Sequence, residues 1–112
     1  MKEQYPLYVR WRSVVAYMLE LCSKYPKTVR FNLCDRITNT SLDVMNHIVE
    51  AIYSSRKKTV LKHANLSLEQ LRVLIQISHA SRYISLKQYE FIGREINDTG
   101  KMIGGWLKRC GA

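Results

Sequence analysis

Residues 85–110 read Ser85-Leu86-Lys87-Gln88-Tyr89-Glu90-Phe91-Ile92-Gly93-Arg94-Glu95-Ile96-Asn97-Asp98-Thr99-Gly100-Lys101-Met102-Ile103-Gly104-Gly105-Trp106-Leu107-Lys108-Arg109-Cys110. The S-x-x-Q spacing at Ser85 and Gln88 is that of a capping box, in which a serine hydroxyl and a glutamine side chain each satisfy a free backbone amide of a starting helix. From there Tyr89, Ile92, Ile96, Ile103, Trp106, Leu107 and Cys110 recur at the helical period as one apolar stripe, and Gly111 is a natural stop just beyond. A capped amphipathic helix of this length has to be covered by others, and the rest of the chain supplies them.

Upstream, residues 59–81 predict a helix that buries Leu61, Ala64, Leu68, Leu71 and Ile75, reached through the polar connection Ser54-Ser55-Arg56-Lys57-Lys58. Residues 27–54 predict another, on Val29, Leu33, Ile37, Val44, Ile48 and Ile52; its middle, Thr38-Asn39-Thr40-Ser41, is weak in helix propensity and is where a kink or break is expected. Residues 8–25 predict the first, with Trp11, Val14, Val15, Met18, Leu21, Cys22 and Tyr25 in one third of the wheel and Pro26 as its end. Short connections imply antiparallel neighbours, so the expectation is all-α, an up-down four-helix bundle forming one domain over residues 1–112.

Composition agrees. Apolar residues make up 46% of the 112, interrupted by only two prolines and five glycines, which suits long helices and neither a disordered tail nor a turn-rich β fold. No stretch approaches the roughly 20 uncharged apolar residues of a membrane span, and residues 1–12 lack the apolar core of a signal peptide, so a cytoplasmic protein is expected. Cys22, Cys34 and Cys110 give an odd count without CxxC spacing, and His47, His63 and His79 lie sixteen residues apart, so no metal or other cofactor is expected and the thiols should be reduced and mostly buried.

Two helices carry more apolar surface than one core needs. Leu66, Val73 and Ile77 share a second face of the 59–81 helix, and Phe31, Leu42, Val49 and Tyr53 widen the arc of the 27–54 helix beyond half the wheel. Surplus faces of this kind are usually subunit contacts, so a homo-oligomer is expected; a slightly wider core with scattered exposed apolar residues is the plainer alternative.

Eighteen Lys and Arg against nine Asp and Glu give a net charge of +9, a balance that favours polyanions because each neutralised phosphate releases counterions. The densest cations are Arg56, Lys57, Lys58 and Lys62, and residues 56–83, which also include Arg72, hold six basic groups against Glu69 alone. On the last helix Lys87, Arg94, Lys101 and Lys108 recur every seven residues, opposite the apolar stripe. These clusters are the candidate phosphate contacts. A solvated loop accounts equally for the first, and pairing of Arg94 and Lys101 with Glu90 and Asp98 at i,i+4 and i,i+3 spacing accounts for the second. The aromatic residues fall mainly on core stripes and read as packing.

No Gly-rich phosphate loop, nucleophile elbow or paired-carboxylate site is present, so no catalytic residue is expected. One pattern points elsewhere: Arg56 to His63 and Arg72 to His79 each set a histidine seven residues after an arginine, which resembles the motif of the HEPN ribonucleases. In that chemistry histidine serves as acid or base and arginine stabilises the charged transition state. Two letters of spacing among nine arginines and three histidines arise easily by chance.

Tyr25-Pro26-Lys27 with Arg30 and Phe31, then Ile84-Ser85-Leu86-Lys87-Gln88-Tyr89-Glu90 and the run from Ile96 through Met102-Ile103-Gly104-Gly105-Trp106-Leu107-Lys108, together resemble the four-helix-bundle family that includes the accessory variability determinant (Avd) of diversity-generating retroelements. The same family contains proteins encoded by intervening sequences of ribosomal RNA genes, which stand as the alternative: an oligomeric protein-interaction scaffold. Similarity to Avd implies a pentameric, barrel-like ring that binds the element's reverse transcriptase together with RNA and DNA and supports error-prone cDNA synthesis in mutagenic retrohoming. Arg30, near the start of the second helix, joins the candidate nucleic-acid contacts as a cation placed to face a partner.

Overall fold

The computed structural model describes residues 2–111. Four long helices make up most of it: α1 Pro6–Cys22, α2 Asp35–Tyr53, α3 Lys57–Ala80 and α4 Leu86–Arg109, with no strand among the described residues. A 3₁₀ turn over Lys2–Gln4 precedes α1, and a 3₁₀ turn over Lys27–Val29 followed by a π turn over Arg30–Cys34 leads into α2.

The capping box of α4 is complete: the Gln88 amide donates to Ser85 Oγ at 3.1 Å and the Ser85 amide to Gln88 Oε1 at 2.9 Å. Gly111 takes φ +77° just past the helix, a left-handed position open to glycine, while its amide closes on the Lys108 carbonyl at 3.1 Å. At its other end α1 starts on Pro6, whose missing amide donor is no loss in a first turn. It stops at Cys22, three residues short of the expected Tyr25, because the residue before a proline is pushed away from helical backbone. The Lys24 and Tyr25 amides instead close a turn on the Leu21 and Cys22 carbonyls, both at 3.1 Å.

The break expected at residues 38–41 is absent, and the irregular backbone lies earlier, over Lys27–Val29 and Arg30–Cys34. Hydroxyls that weaken helices by competing for backbone groups are here satisfied within the helix. Thr38 Oγ1 donates to the Cys34 carbonyl at 2.9 Å and Ser41 Oγ to the Ile37 carbonyl at 2.7 Å. Burial then holds the segment, since Trp11 Nε1 donates to the Ser41 carbonyl at 2.9 Å inside the α1–α2 contact.

The buried apolar residues form one cluster to which every long helix contributes, with Trp11, Met18, Ile37, Ile48, Leu61, Leu71, Ile75, Ile92, Ile96 and Ile103 almost wholly excluded from solvent. Full burial of each such side chain contributes about 1.5–3 kcal/mol. Tyr5 packs on Trp106 with centroids 5.3 Å apart, Tyr17 on Phe91 at 4.8 Å and Tyr25 on Tyr83 at 5.6 Å. His47 lies against His63 at 5.8 Å, and His79 stacks on Tyr89 at 4.3 Å with planes 5° apart. The body is 43 × 22 × 22 Å, a long axis set by the 24-residue helices α3 and α4 at 1.5 Å per residue.

Candidate nucleic-acid interface

Lys57, Lys58 and Lys62 sit on the first turns of α3, with Arg56 just ahead of it. They do not share one role. Lys57 is half-buried and its ammonium donates to the Ala51 and Ile52 carbonyls at 2.7 and 2.9 Å, satisfying acceptors that the end of α2 leaves open. Arg56, Lys58 and Lys62 are exposed. The Arg56 amide donates to Ser54 Oγ at 2.9 Å, which sets the short turn between the helices.

Arg72 is likewise engaged, Nε donating to Glu69 Oε1 at 3.1 Å and Nη1 to Asn97 Oδ1 on α4 at 2.7 Å. Lys87, Arg94 and Lys101 are exposed along α4 and have no carboxylate partner among the described residues. Asp98, the partner that spacing offers Lys101, is taken by another helix: Arg10 on α1 holds Asp98 at 2.8 Å and Glu95 at 2.8 Å, with a second bond from Nε to Glu95 at 3.2 Å. The bond to Glu95 is the main reason the Arg10 guanidinium is held even more firmly charged than usual. Glu90 makes no ion pair with Arg94. Arg10 thus neutralises Glu95 and Asp98 on the α1 side of α4, an arrangement between residues 85 and 88 positions apart that no local spacing reveals.

Aromatic surface accompanies the row. Tyr17, Lys87, Phe91 and Arg94 line one hollow of about 290 Å³, and Tyr5, Lys101, Trp106 and Arg109 another of about 380 Å³. Tyr8 has Lys2 Nζ 5.9 Å and the Arg12 guanidinium 5.5 Å from its ring centre. Arg30 is exposed on the π turn, in the connection whose Tyr25 packs on Tyr83, and so stands apart from the Arg56–Lys62 cluster. Arg82, the sixth basic group of residues 56–83, is exposed, as are Arg36 and Arg109, which lie outside the expected clusters.

Of the surplus apolar residues, Phe31 is 85% exposed, and Leu42, Tyr53, Leu66, Val73 and Ile77 are also exposed; Val49 is half-buried. They form two faces. Leu42, Val49 and Tyr53 follow one another at i, i+7 and i+11 on α2, and Leu66, Val73 and Ile77 at the same spacing on α3. A groove of about 560 Å³ between α2 and α3 is lined by Arg36, Asn39 and Asp43 on one side and by Gln70 and Val73 on the other. Burial pushes the Cys22 thiol up to about 12 and raises Cys34 as well, so neither is a reactive thiolate at neutral pH. No helix among the described residues is long and apolar enough to cross a membrane.

A comparison with curated proteins gives no match. The family described as bAvd-like matches residues 6–110. That span opens on the first residue of α1, takes in the Tyr25-Pro26-Lys27 break and the capped start of α4, and closes one residue past α4. With all four helices inside the match, the chain belongs to the bAvd-like family.

Proposed function

We propose that the chain is a non-catalytic accessory protein of a diversity-generating retroelement, acting in the cytoplasm as an up-down four-helix bundle that closes into a pentameric ring. The ring presents basic surface to template RNA, to DNA and to the element's reverse transcriptase, and supports mutagenic cDNA synthesis. Family membership supports the accessory role. The up-down reading is supported by ring pairs along α1, α4 and the residues that flank them, in which Tyr5, Tyr17 and Tyr25 meet Trp106, Phe91 and Tyr83 in that order.

The observation that carries the nucleic-acid part is the row Lys87, Arg94 and Lys101, exposed and without acidic partners among the described residues. Seven residues of helix advance about 10.5 Å, roughly three nucleotide steps of a strand at 3.4 Å each. A non-catalytic role is supported by the arginine of one HEPN-like pair, Arg72, being held by Glu69 and Asn97, while His79 stacks on Tyr89.

Light scattering coupled to size-exclusion chromatography, alone and with a structured RNA at two salt concentrations, tests this. The expected result is a pentamer that carries RNA at low salt and releases it at high salt. RNA affinity that stays flat with salt overturns the electrostatic reading, and an oligomer that ignores RNA altogether is an assembly scaffold instead.

A further inference from the structure

Between α3 and α4 lies an open groove of about 320 Å³ whose lining is chemically mixed. Its apolar floor is Ile75 and Ile96, each 1% exposed. Its polar groups come from both helices: Arg72 and Gln76 from α3, and Tyr89, Glu90, Arg94 and Asn97 from α4. Gly93 completes the wall, and a Cβ placed there meets nothing within 4 Å. This glycine is therefore not required for helix contact; a Cβ at Gly100 would, by comparison, reach ordinary van der Waals contact with Leu68 at 3.6 Å. Its missing side chain is open space within the groove.

The polar groups are pre-ordered. Arg72 spends Nε on Glu69 and Nη1 on Asn97 Oδ1, which fixes both side chains and leaves donors on Arg72 Nη2 and Asn97 Nδ2 uncommitted. One face of the Tyr89 ring is taken by His79. Glu90 supplies an acceptor and Gln76 one of each kind. A phosphodiester alone fits this set poorly, because it is anionic like Glu90 and has no proton to donate to it. A planar base offers an apolar face to the floor and both donors and acceptors on its edge.

We infer that the α3–α4 groove takes one unpaired nucleobase of a single strand, with the adjoining phosphate on Arg94. Arg94 suits that role because it lines both this groove and the Tyr17–Phe91 hollow on the other side of α4. A volume of this size is that of a small-ligand site and admits no folded partner. The inference rests on the nucleic-acid reading above and adds to it a contact that charge alone does not make.

The test is fluorescence anisotropy at low salt with two labelled twelve-unit strands of equal charge, a mixed-sequence RNA and an all-abasic strand. The full chain is expected to bind the base-bearing strand about tenfold more tightly, the scale of one base contact. Gly93→Leu fills the groove without altering charge and replaces a helix-interior glycine with a better helix former. It is expected to bring RNA affinity down to the abasic level while leaving abasic affinity unchanged. Gln76→Leu, which removes a polar wall group from an exposed position, does the same. Equal binding of both strands by the unmodified chain, or a tenfold preference that survives in both variants, overturns the groove and leaves the electrostatic reading standing. Failure of both strands to bind at low salt overturns both readings.

Discussion

Lys57 carries the same charge as Lys58 and Lys62, yet its ammonium ties the open carbonyls of Ala51 and Ile52 at 2.7 and 2.9 Å. Lys57→Gln is therefore expected to cost about 1 kcal/mol in urea unfolding, whereas Lys58→Gln and Lys62→Gln stay within about 0.5 kcal/mol and act on RNA affinity instead. A sequence shows that three lysines are close together; which one faces a helix end depends on how tightly the chain turns at Ser54 and Arg56. Arg10 teaches the same lesson, since its partners Glu95 and Asp98 lie on another helix. Burial leaves a further mark at Tyr25, whose hydroxyl is pushed up to about 12, a side-chain interaction with Ser78 opposing this only in part. Cys22 is raised to about 12 by burial as well. In the unfolded chain these groups lose their protons near their ordinary values of 10.0 and 9.0, so above pH 9 the unfolded state binds fewer protons than the folded one. Their contribution to stability is complete below pH 9 and is lost as pH rises toward 12. Denaturant midpoints across that window should fall, with Cys22→Ala flattening the slope from pH 9 upward and Tyr25→Phe from pH 10 upward.

The elements divide between those whose ends are written locally and those whose ends depend on packing. Ser85 and Gln88 announce α4 because both halves of a capping box lie within one turn, and Gly111 closes it. The end of α3 has the same kind of closure with a less telling residue. The Arg82 and Tyr83 amides donate to the His79 and Ser78 carbonyls at 3.0 and 2.9 Å, the paired bonds of a Schellman motif, and Arg82 holds the left-handed position at φ 65°. Glycine is the residue that takes this position without a steric penalty, so Arg82→Gly is expected to raise stability by about 0.5–1 kcal/mol in thermal unfolding. A fall would mean that the Arg82 side chain makes a contact worth more than the strain. At residues 38–41 weak propensity misleads, because Ser41 is pinned under Trp11 and its hydroxyl turns back on Ile37, information held by α1 and not by the segment. The irregular stretch lies where Pro26 starts the chain in a 3₁₀ turn, and periodicity alone draws that stretch as plain helix.

At the scale of the whole molecule, the apolar stripes of all four helices were legible because each needs only its own period, and so was the surplus of apolar residues on α2 and α3. Which of those residues stay exposed was not, since that depends on how α2 and α3 pack: Val49 is half-buried while Leu42, Tyr53, Leu66, Val73 and Ile77 remain exposed. Their layout bears on how copies assemble. A twofold dimer uses one self-complementary patch, whereas a ring closes by joining one patch to a different patch on the next copy. In the proposed ring the Leu42–Tyr53 face of one subunit meets the Leu66–Ile77 face of its neighbour. Leu42→Glu and Val73→Glu each add a charge at an exposed site, so neither should harm the fold, and each should block self-assembly at its own face. Mixed together, the two variants still hold one intact face each and are expected to form a heterodimer and nothing larger, read by native mass spectrometry. A twofold contact through a single face gives the opposite pattern: one variant keeps its dimer alone, the other is a monomer, and mixing adds no species.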